Sequence, residues 1–318
     1  MKYYLEFEEP IRHLDEEIHL KESILQKSSE LKKEIALLHE DRLRLINKIH
    51  SNLTRWQRVQ LARHPERPYA LDYINLIFAD FMEIHGDRLF ADDPAVVAGF
   101  AKIGDKKVAI IAQQKGRNTK ENLYRNFGMM KPEGYRKALR IMKLAEKFKI
   151  PIITFMDTPG AFPGIGAEER GQGEAIAKNL IEMSAMKVPI ISVVIGEGAS
   201  GGALGIGVCD KFLMMQNSWY SVISPEGCAS ILFRDASKAE EAAEALKVTP
   251  DDMVNMGVCD MIIAEPNGGA HRDPKSSARN LELALLEGLS EFAATESDMF
   301  IDKRIERYDA MGVFEDEK

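Results

Sequence analysis

The chain has 318 residues, 45% of them hydrophobic and 29% charged, with a formal net charge of −8. That length buries one large core or two modest ones, and the acidic balance argues against nucleic acid as a partner. No apolar run reaches the roughly 20 residues that span a bilayer, the opening MKYYLEFEEP is charged rather than signal-like, and three scattered cysteines without a C-x-x-C read as reduced core thiols of a cytoplasmic protein that has no cysteine-based zinc site.

From about Ile11 to Leu61 the pattern is charged and helical. Leu31, Ile35, Leu38, Leu45 and Ile49 form a heptad-like stripe, with Lys27-Ser28-Ser29 as a possible hairpin break. The stripe is too narrow to be a core, so it packs on its own domain or on another subunit. His64-Pro65-Glu66-Arg67-Pro68 ends the helical region and divides the chain into an extension, 1–63, and a main domain, 64–318, that closes with helices.

The main domain opens with an amphipathic helix expected over Ala70 to Ile84. Val96 to Ile103 and Val108 to Gln113 flank Gly104-Asp105-Lys106-Lys107, a hairpin signal. From Lys115 to Lys149 there are eleven Lys/Arg against three Glu, a local net of +8. Such a run is either a solvated face or a face for an anionic ligand or partner. Within it, Asn126 to Gly134 reads as an irregular loop and Tyr135 to Phe148 as a basic amphipathic helix.

Pro151 to Met156 is a buried strand ending in DTPGAFPG; Glu168 to Met186 is helical. A second buried strand, with Ile190 to Ile195 as its apolar run, ends in Gly196-Glu197-Gly198-Ala199-Ser200-Gly201-Gly202 and leads into a small, apolar, helix-length segment. Strand, glycine turn and helix thus occur twice, which gives a mainly parallel sheet with both turns at the carboxyl ends of its strands, where ligands bind. The remainder alternates short strands, Phe212 to Gln216, Tyr220 to Ile223 and Asp260 to Ala264, with helices capped by Ser224 and Thr249. A final helix places Leu281, Leu285 and Leu289 on one face.

Three chemistries fit the second glycine turn. Gly196-x-Gly198-x-x-Gly201 matches a dinucleotide fingerprint, but no acidic ribose partner follows about 20 residues on. Gly198-Ala199-Ser200-Gly201-Gly202 matches the nucleophile elbow of a serine hydrolase, with Asp235 or Asp260 and His271 in the required order. Bare amides of Gly201 and Gly202 at a helix start can form an oxyanion hole without side-chain chemistry. A purely structural turn, with Ser200 capping the helix, is the fourth possibility.

At DTPGAFPGIGAEERGQGEAIAKNL, GEGASGGALGIGV and YSVISPEGCASIL the chain resembles the alpha subunit of bacterial acetyl-coenzyme A carboxylase carboxyltransferase. ARHPERPYALDYI, QKGRNTKE, NFGMMKPEGYRKALR and Asn267-Gly268-Gly269-Ala270-His271-Arg272 fit the same family. The resemblance implies an α/β, crotonase-like fold of stacked ββα turns with an N-terminal helical extension. It implies transfer of the carboxyl group of carboxybiotin, held on a biotin carboxyl carrier protein, to acetyl-coenzyme A, giving malonyl-coenzyme A for fatty-acid synthesis. It further implies a separate beta subunit that holds acetyl-coenzyme A and carries the zinc, an alpha2beta2 assembly, and biotin carboxylase in the wider complex. On this basis Gly201 and Gly202 are the expected backbone oxyanion donors. Gly160, Ala161, Gly198 and Ala199 are expected to shape the substrate pocket. Lys115, Arg117 and Lys131 are candidates to attract carboxylate or phosphate, and Glu168, Glu169 and Arg170 read as structural or interface ion pairs. The alternatives are a serine hydrolase using Ser200 and a non-enzymatic scaffold.

Overall fold

The structure, a computed structural model, describes residues 3–24 and 29–312. Lys27 and Ser28 of the expected hairpin break lie outside them. Two helices, α1 (Glu9–Ser23) and α2 (Ser29–His50), pack against each other. Of the apolar stripe, Ile35 is buried, Leu31, Leu38, Leu45 and Ile49 are half-buried, and Ile46 is buried beside them. α3 (Arg55–Ala62) opens with a Thr54–Gln57 capping box and packs into the main body, where Val59 and Ala62 meet Ala199, Trp219 and Val248.

The body is a mixed eight-stranded sheet between two layers of helices. In chain order its elements are α4 (Ala70–Ile77), β1 (Ala79–Glu83), β2 (Val96–Ile103), β3 (Lys106–Gln113), α5 (Thr119–Tyr124), α6 (Pro132–Lys147), β4 (Ile152–Thr158), α7 (Ile165–Glu169), α8 (Gln172–Ser184) and β5 (Ile190–Ala199). There follow α9 (Ser200–Leu204), β6 (Lys211–Met215), β7 (Trp219–Ser221), α10 (Pro225–Leu232), α11 (Ala239–Leu246), α12 (Pro250–Asn255), β8 (Met261–Ile263), α13 (Pro274–Glu291) and α14 (Met299–Asp309). β1, β2 and β3 are antiparallel; β3, β4, β5, β6 and β8 run parallel in that order, and β7 pairs with β5.

Strand periodicity divides the core into two faces. Ile111, Ile152, Val194 and Met214 pack under α6 and α8. Ile110, Ile153, Val193 and Leu213 pack under α4 and α13, against Tyr73, Ile77 and the expected stripe of Leu281, Leu285 and Leu289. All three cysteines are free and buried. Among the described residues no helix is long and apolar enough to cross a membrane.

Several boundaries differ from expectation. The helix expected over Ala70 to Ile84 stops at Ile77, and the chain pairs with β2 instead. Asp80 takes a left-handed turn at φ 54, and Gly99 admits the Met82 carbonyl where a Cβ would collide with it. The expected loop holds the start of α6, which begins at Pro132, a residue suited to the first helical position. The single helix over Glu168 to Met186 is two, broken at Gly171 with φ 84.

Candidate functional site

Both glycine turns lie at the carboxyl ends of parallel strands, Pro159-Gly160-Ala161 after β4, which itself ends in Asp157-Thr158, and Ser200-Gly201-Gly202 after β5. The second turn starts later than its glycines indicate. β5 continues through Gly196, Glu197, Gly198 and Ala199, because its far end pairs with β7. The glycines in that strand are packing positions. A Cβ at Gly196 would lie 2.5 Å from Asp157 Oδ1, and one at Gly198 would lie 2.6 Å from the Tyr220 ring. Gly198 and Ala199 are buried, with Ala199 packed among Val59, Ala62 and Trp219. Anything either presents to a ligand is main chain.

The helix after the turn has five residues, shorter than expected. Ser200 does not cap it. Ala199 occupies the cap position and no side chain accepts from the first amides. Ser200 is exposed and held at φ 55, since the strand hydrogen bonds persist up to Ala199 and the reversal falls on the next residue.

The two turns touch. A Cβ at Gly202 would collide with the Gly160–Ala161 peptide, 2.5 Å from the Gly160 oxygen and 2.7 Å from the Ala161 nitrogen. At Gly201 a Cβ would meet only Ile176 Cδ1 at 3.6 Å, and at Gly160, with φ 153, it would meet nothing. The carbonyls of the turns are engaged inward. Gly160 O accepts from the Thr158 hydroxyl at 2.7 Å, Gly201 O from the Gly205 amide at 3.0 Å, and Gly202 O from Gln113 Nε2 at 2.7 Å. In a helical peptide the N–H points opposite to its C=O, so the Gly202 amide faces out of the turn, with no helical partner.

Beneath the turns lies a buried ionic network that sequence reasoning missed. Lys115 Nζ bridges Asp157 and Glu197, each at 2.6 Å. Arg63 binds Glu197 at 2.6 Å and also pairs with Glu226. Burial disfavours each charge, but the opposite charges prevail, holding Glu197 below and Lys115 above their ordinary values. Lys115 is therefore not a surface anion site. Arg117 is also engaged, to the Pro65 and Arg67 carbonyls and Asp72, and lies over the Tyr69 ring. Lys131 lies over Phe162. Much of the basic run ties down the preceding loop: Arg125 to Pro94 O, Arg136 to Asp87, Lys137 to Asp92 and Arg140 to Gly86 O. Arg170 forms the expected ion pair, on Glu133 at 2.9 and 3.1 Å.

The hydrolase partners are not assembled on Ser200. Asp235 caps Ser237, Asp260 binds Arg307 and the Phe212 amide, and His271 stacks on His64 with ring centroids 3.8 Å apart. No sequence motif relates these groups in space, so their order along the chain had no predictive content.

That histidine stack belongs to a different cluster. Glu8, His64 and His271 bring ligand-type atoms within 4.8 Å of one another. The donors do not fit a metal ion. Glu8 already accepts from Arg272 at 2.9 Å and from the Leu5 amide at 3.1 Å. The Glu66 amide donates to His64 Nδ1 at 3.2 Å, which puts the ring proton on Nε2 and leaves neither nitrogen a free lone pair. The cluster instead locks the N-terminal segment onto the Gly268–Arg272 loop. Burial, then His64 and Arg272, depress His271 from 6.5 to about 3. Held neutral, His271 takes up a proton only on unfolding between those values, so stability falls as pH drops through that window. Glu8, where burial opposes ionisation but the Arg272 guanidinium and the Leu5 amide help to outweigh it and hold the pKa at about 2, adds to this only below its ordinary 4.5. Replacing His271→Gln is expected to flatten the rise of stability between pH 4.5 and 6.5, by at most about 1.4 kcal/mol per pH unit. Chemical denaturation at several pH values measures this; an unchanged slope refutes it.

Comparison with known proteins identifies the family. A sequence profile described as acetyl co-enzyme A carboxylase carboxyltransferase-like matches residues 4–312. The acetyl-coenzyme A carboxylase carboxyl transferase subunit alpha of Chlorobium limicola is 54% identical over 330 aligned positions, covering 99% of both chains. The protein of the same name from Fusobacterium nucleatum is 53% identical, covering 98% of this chain and 99% of its own. Among solved structures, transcarboxylase 12S matches 70% of this chain and 42% of its own at 23% identity and a TM-score of 0.57. The beta subunit of Pseudomonas aeruginosa geranyl-CoA carboxylase matches 77% of this chain and 46% of its own, with 17% identity and a TM-score of 0.54. These likenesses establish the expected crotonase-like α/β fold. With the profile matching residues 4–312 and relatives 53% and 54% identical over nearly the full chain, the chain belongs to the acetyl-coenzyme A carboxylase carboxyltransferase alpha-subunit family.

Proposed function

We propose that this chain is the alpha half of a biotin-dependent acetyl-coenzyme A carboxyltransferase. With a separate beta subunit it moves the carboxyl group of carboxybiotin, carried on a biotin carboxyl carrier protein, to acetyl-coenzyme A. Malonyl-coenzyme A is the product, for fatty-acid synthesis. The observation that carries this reading is the meeting of the two glycine turns, with the Gly160, Gly201 and Gly202 carbonyls already engaged within the protein and the Gly202 amide in the first turn of α9, where helical amides have no helical partner.

When carboxybiotin gives up its carboxyl group, negative charge develops on the ureido oxygen. Amides of Gly201 and Gly202 aimed at that oxygen lower the barrier; one such donor is worth about 3 kcal/mol in other enzymes. Ala161, in contact with Gly202, is placed to shape the same pocket or add a donor. The carboxylates beneath the turns, Asp157 and Glu197, are engaged by Lys115, and Glu197 also by Arg63, so neither offers a free carboxylate to act as the base. In this mechanism the N–C bond of carboxybiotin breaks to release carbon dioxide, the biotin anion takes the proton from the acetyl methyl group, and the resulting carbanion attacks the carbon dioxide to form the new C–C bond.

The beta subunit holds acetyl-coenzyme A and the zinc in this reading. The assembly is an alpha2beta2 tetramer working in the cytoplasm alongside biotin carboxylase. The isolated chain is expected to form no malonyl-coenzyme A and to bind no stoichiometric zinc, and adding beta subunit and biotinylated carrier is expected to restore transfer. Transfer by the chain alone, or one zinc per alpha chain by metal analysis, would overturn this division of labour.

A further inference from the structure

Gly201-Gly202 is a conformationally permissive pair, and glycine has no side chain to hold it in place. The Gly205 bond to Gly201 O orients the peptide within α9, but some neighbour must fix where the turn as a whole stands. Gln113, the last residue of β3, is fully buried between the turns. Its Oε1 accepts from the Asp157 amide at 3.2 Å. Its Nε2 donates to Gly202 O at 2.7 Å and lies 3.4 Å from Met130 Sδ. The side-chain amide has one orientation, because the reverse would set two oxygens face to face at Gly202 and two N–H groups face to face at Asp157. Tyr135 OH stands 3.5 Å from the same Gly202 oxygen, a much longer approach. Residues from β3, β4 and the β5–α9 turn are thus tied through one side chain.

We propose that Gln113 is a positioning residue that fixes the separation of the Asp157 strand end and the Gly202 turn, and thereby sets where the Gly202 amide stands relative to the reacting oxygen. This rests on the carboxyltransferase reading above. An apolar side chain of similar size fills the space but leaves both main-chain groups unpaired. A carboxyl group restores both bonds only when protonated: its O–H donates to Gly202 O while its other oxygen accepts from Asp157. Ionised, it sets a negative oxygen against that carbonyl. The ionisable groups around it are Tyr135 from α6, Asp157 from β4, and the Lys115–Glu197 pair beyond them.

The test uses the reconstituted alpha–beta complex with biotinylated carrier and compares Gln113→Met, Gln113→Glu and wild type from pH 6 to 8. Gln113→Met is expected to lower kcat by about 10- to 100-fold with KM for acetyl-coenzyme A within about twofold. Gln113→Glu is expected to match that loss at pH 8 and to recover toward wild type as pH falls, while Gln113→Met does not. If Gln113→Met fails to assemble, the pH recovery of Gln113→Glu decides alone. Wild-type-like kcat in Gln113→Met, or parallel profiles for the two variants, overturns the proposal. Amide exchange over residues 200–204, normalised to wild type, reads the same bridge without activity. It is expected to rise in Gln113→Glu at pH 8 and subside at pH 6; no change overturns positioning. Failure of the wild-type complex to transfer carboxyl groups overturns the carboxyltransferase reading instead, and with it the catalytic half of the proposal.

Discussion

Gly202→Val is expected to abolish carboxyl transfer, by about 10³-fold or more, while Ser200→Ala stays within about threefold of wild type. The cause lies in the contact of the two turns. Any Cβ at residue 202 enters the Gly160–Ala161 peptide, so one turn must move away from the other. A displacement of about 1 Å at a reacting centre costs on the order of 100-fold, and loss of an oxyanion donor costs as much or more. Gly202→Ala is therefore expected to be nearly as damaging as Gly202→Val. Gly201→Ala is expected to keep most of the activity, because a Cβ there makes an ordinary 3.6 Å contact with Ile176. Ser200 caps nothing, and alanine fits its φ of 55 no worse than serine does. The measurement is malonyl-coenzyme A formation by complexes first shown to be folded and assembled. If Ser200→Ala is as inactive as Gly202→Val, a nucleophilic hydroxyl replaces the oxyanion reading.

The repeated strand and glycine turn was legible because its signal is local: a β-branched run, then glycines. Its interpretation was not, because the reason for each glycine is a neighbour far away in sequence. Gly196 is small for Asp157, Gly198 for Tyr220, and Gly202 for Gly160, none of which the spacing reveals. β1 was read as helix for a related reason. Ile74, Ile77, Phe78, Phe81 and Ile84 keep helical spacing, but pairing with β2 overrides it. The basic run was misread because net charge does not show where the partners are, and Asp87, Asp92 and the Gly86 carbonyl lie in the segment between β1 and β2, well before it in the chain. Gln113 carried no signal at all: a single glutamine ending a strand is ordinary until the structure shows what its two ends touch.

The Arg67–Glu265 pair gives the largest expected stability effect. Arg67 is 1% exposed and Glu265 is buried with it, joined by two bonds of 2.6 and 3.0 Å. Arg67 also donates to Ile195 O, and Glu265 also accepts from the Asn217 and Ala270 amides. The pair thus fastens the His64–Pro68 segment to β5 and to the loop after β8. Arg67→Met keeps the volume but leaves a buried carboxylate without its cation, an arrangement that costs about 3–5 kcal/mol. The pH dependence identifies the cause. In the wild type, burial opposes ionisation of Glu265, but Arg67 and Asn217 prevail and hold its pKa below the ordinary 4.5. Its contribution is therefore present above that value and lost as pH falls. Without Arg67, burial dominates and the pKa rises. The deficit is then full at neutral pH and shrinks toward pH 4.5, because the folded variant can take up the proton that relieves it. Urea unfolding of Arg67→Met and wild type at pH 5 and pH 8 measures both effects. A loss below about 1 kcal/mol, or a deficit that grows as pH falls, would show that packing of the Arg67 stem rather than the buried charge holds this segment in place.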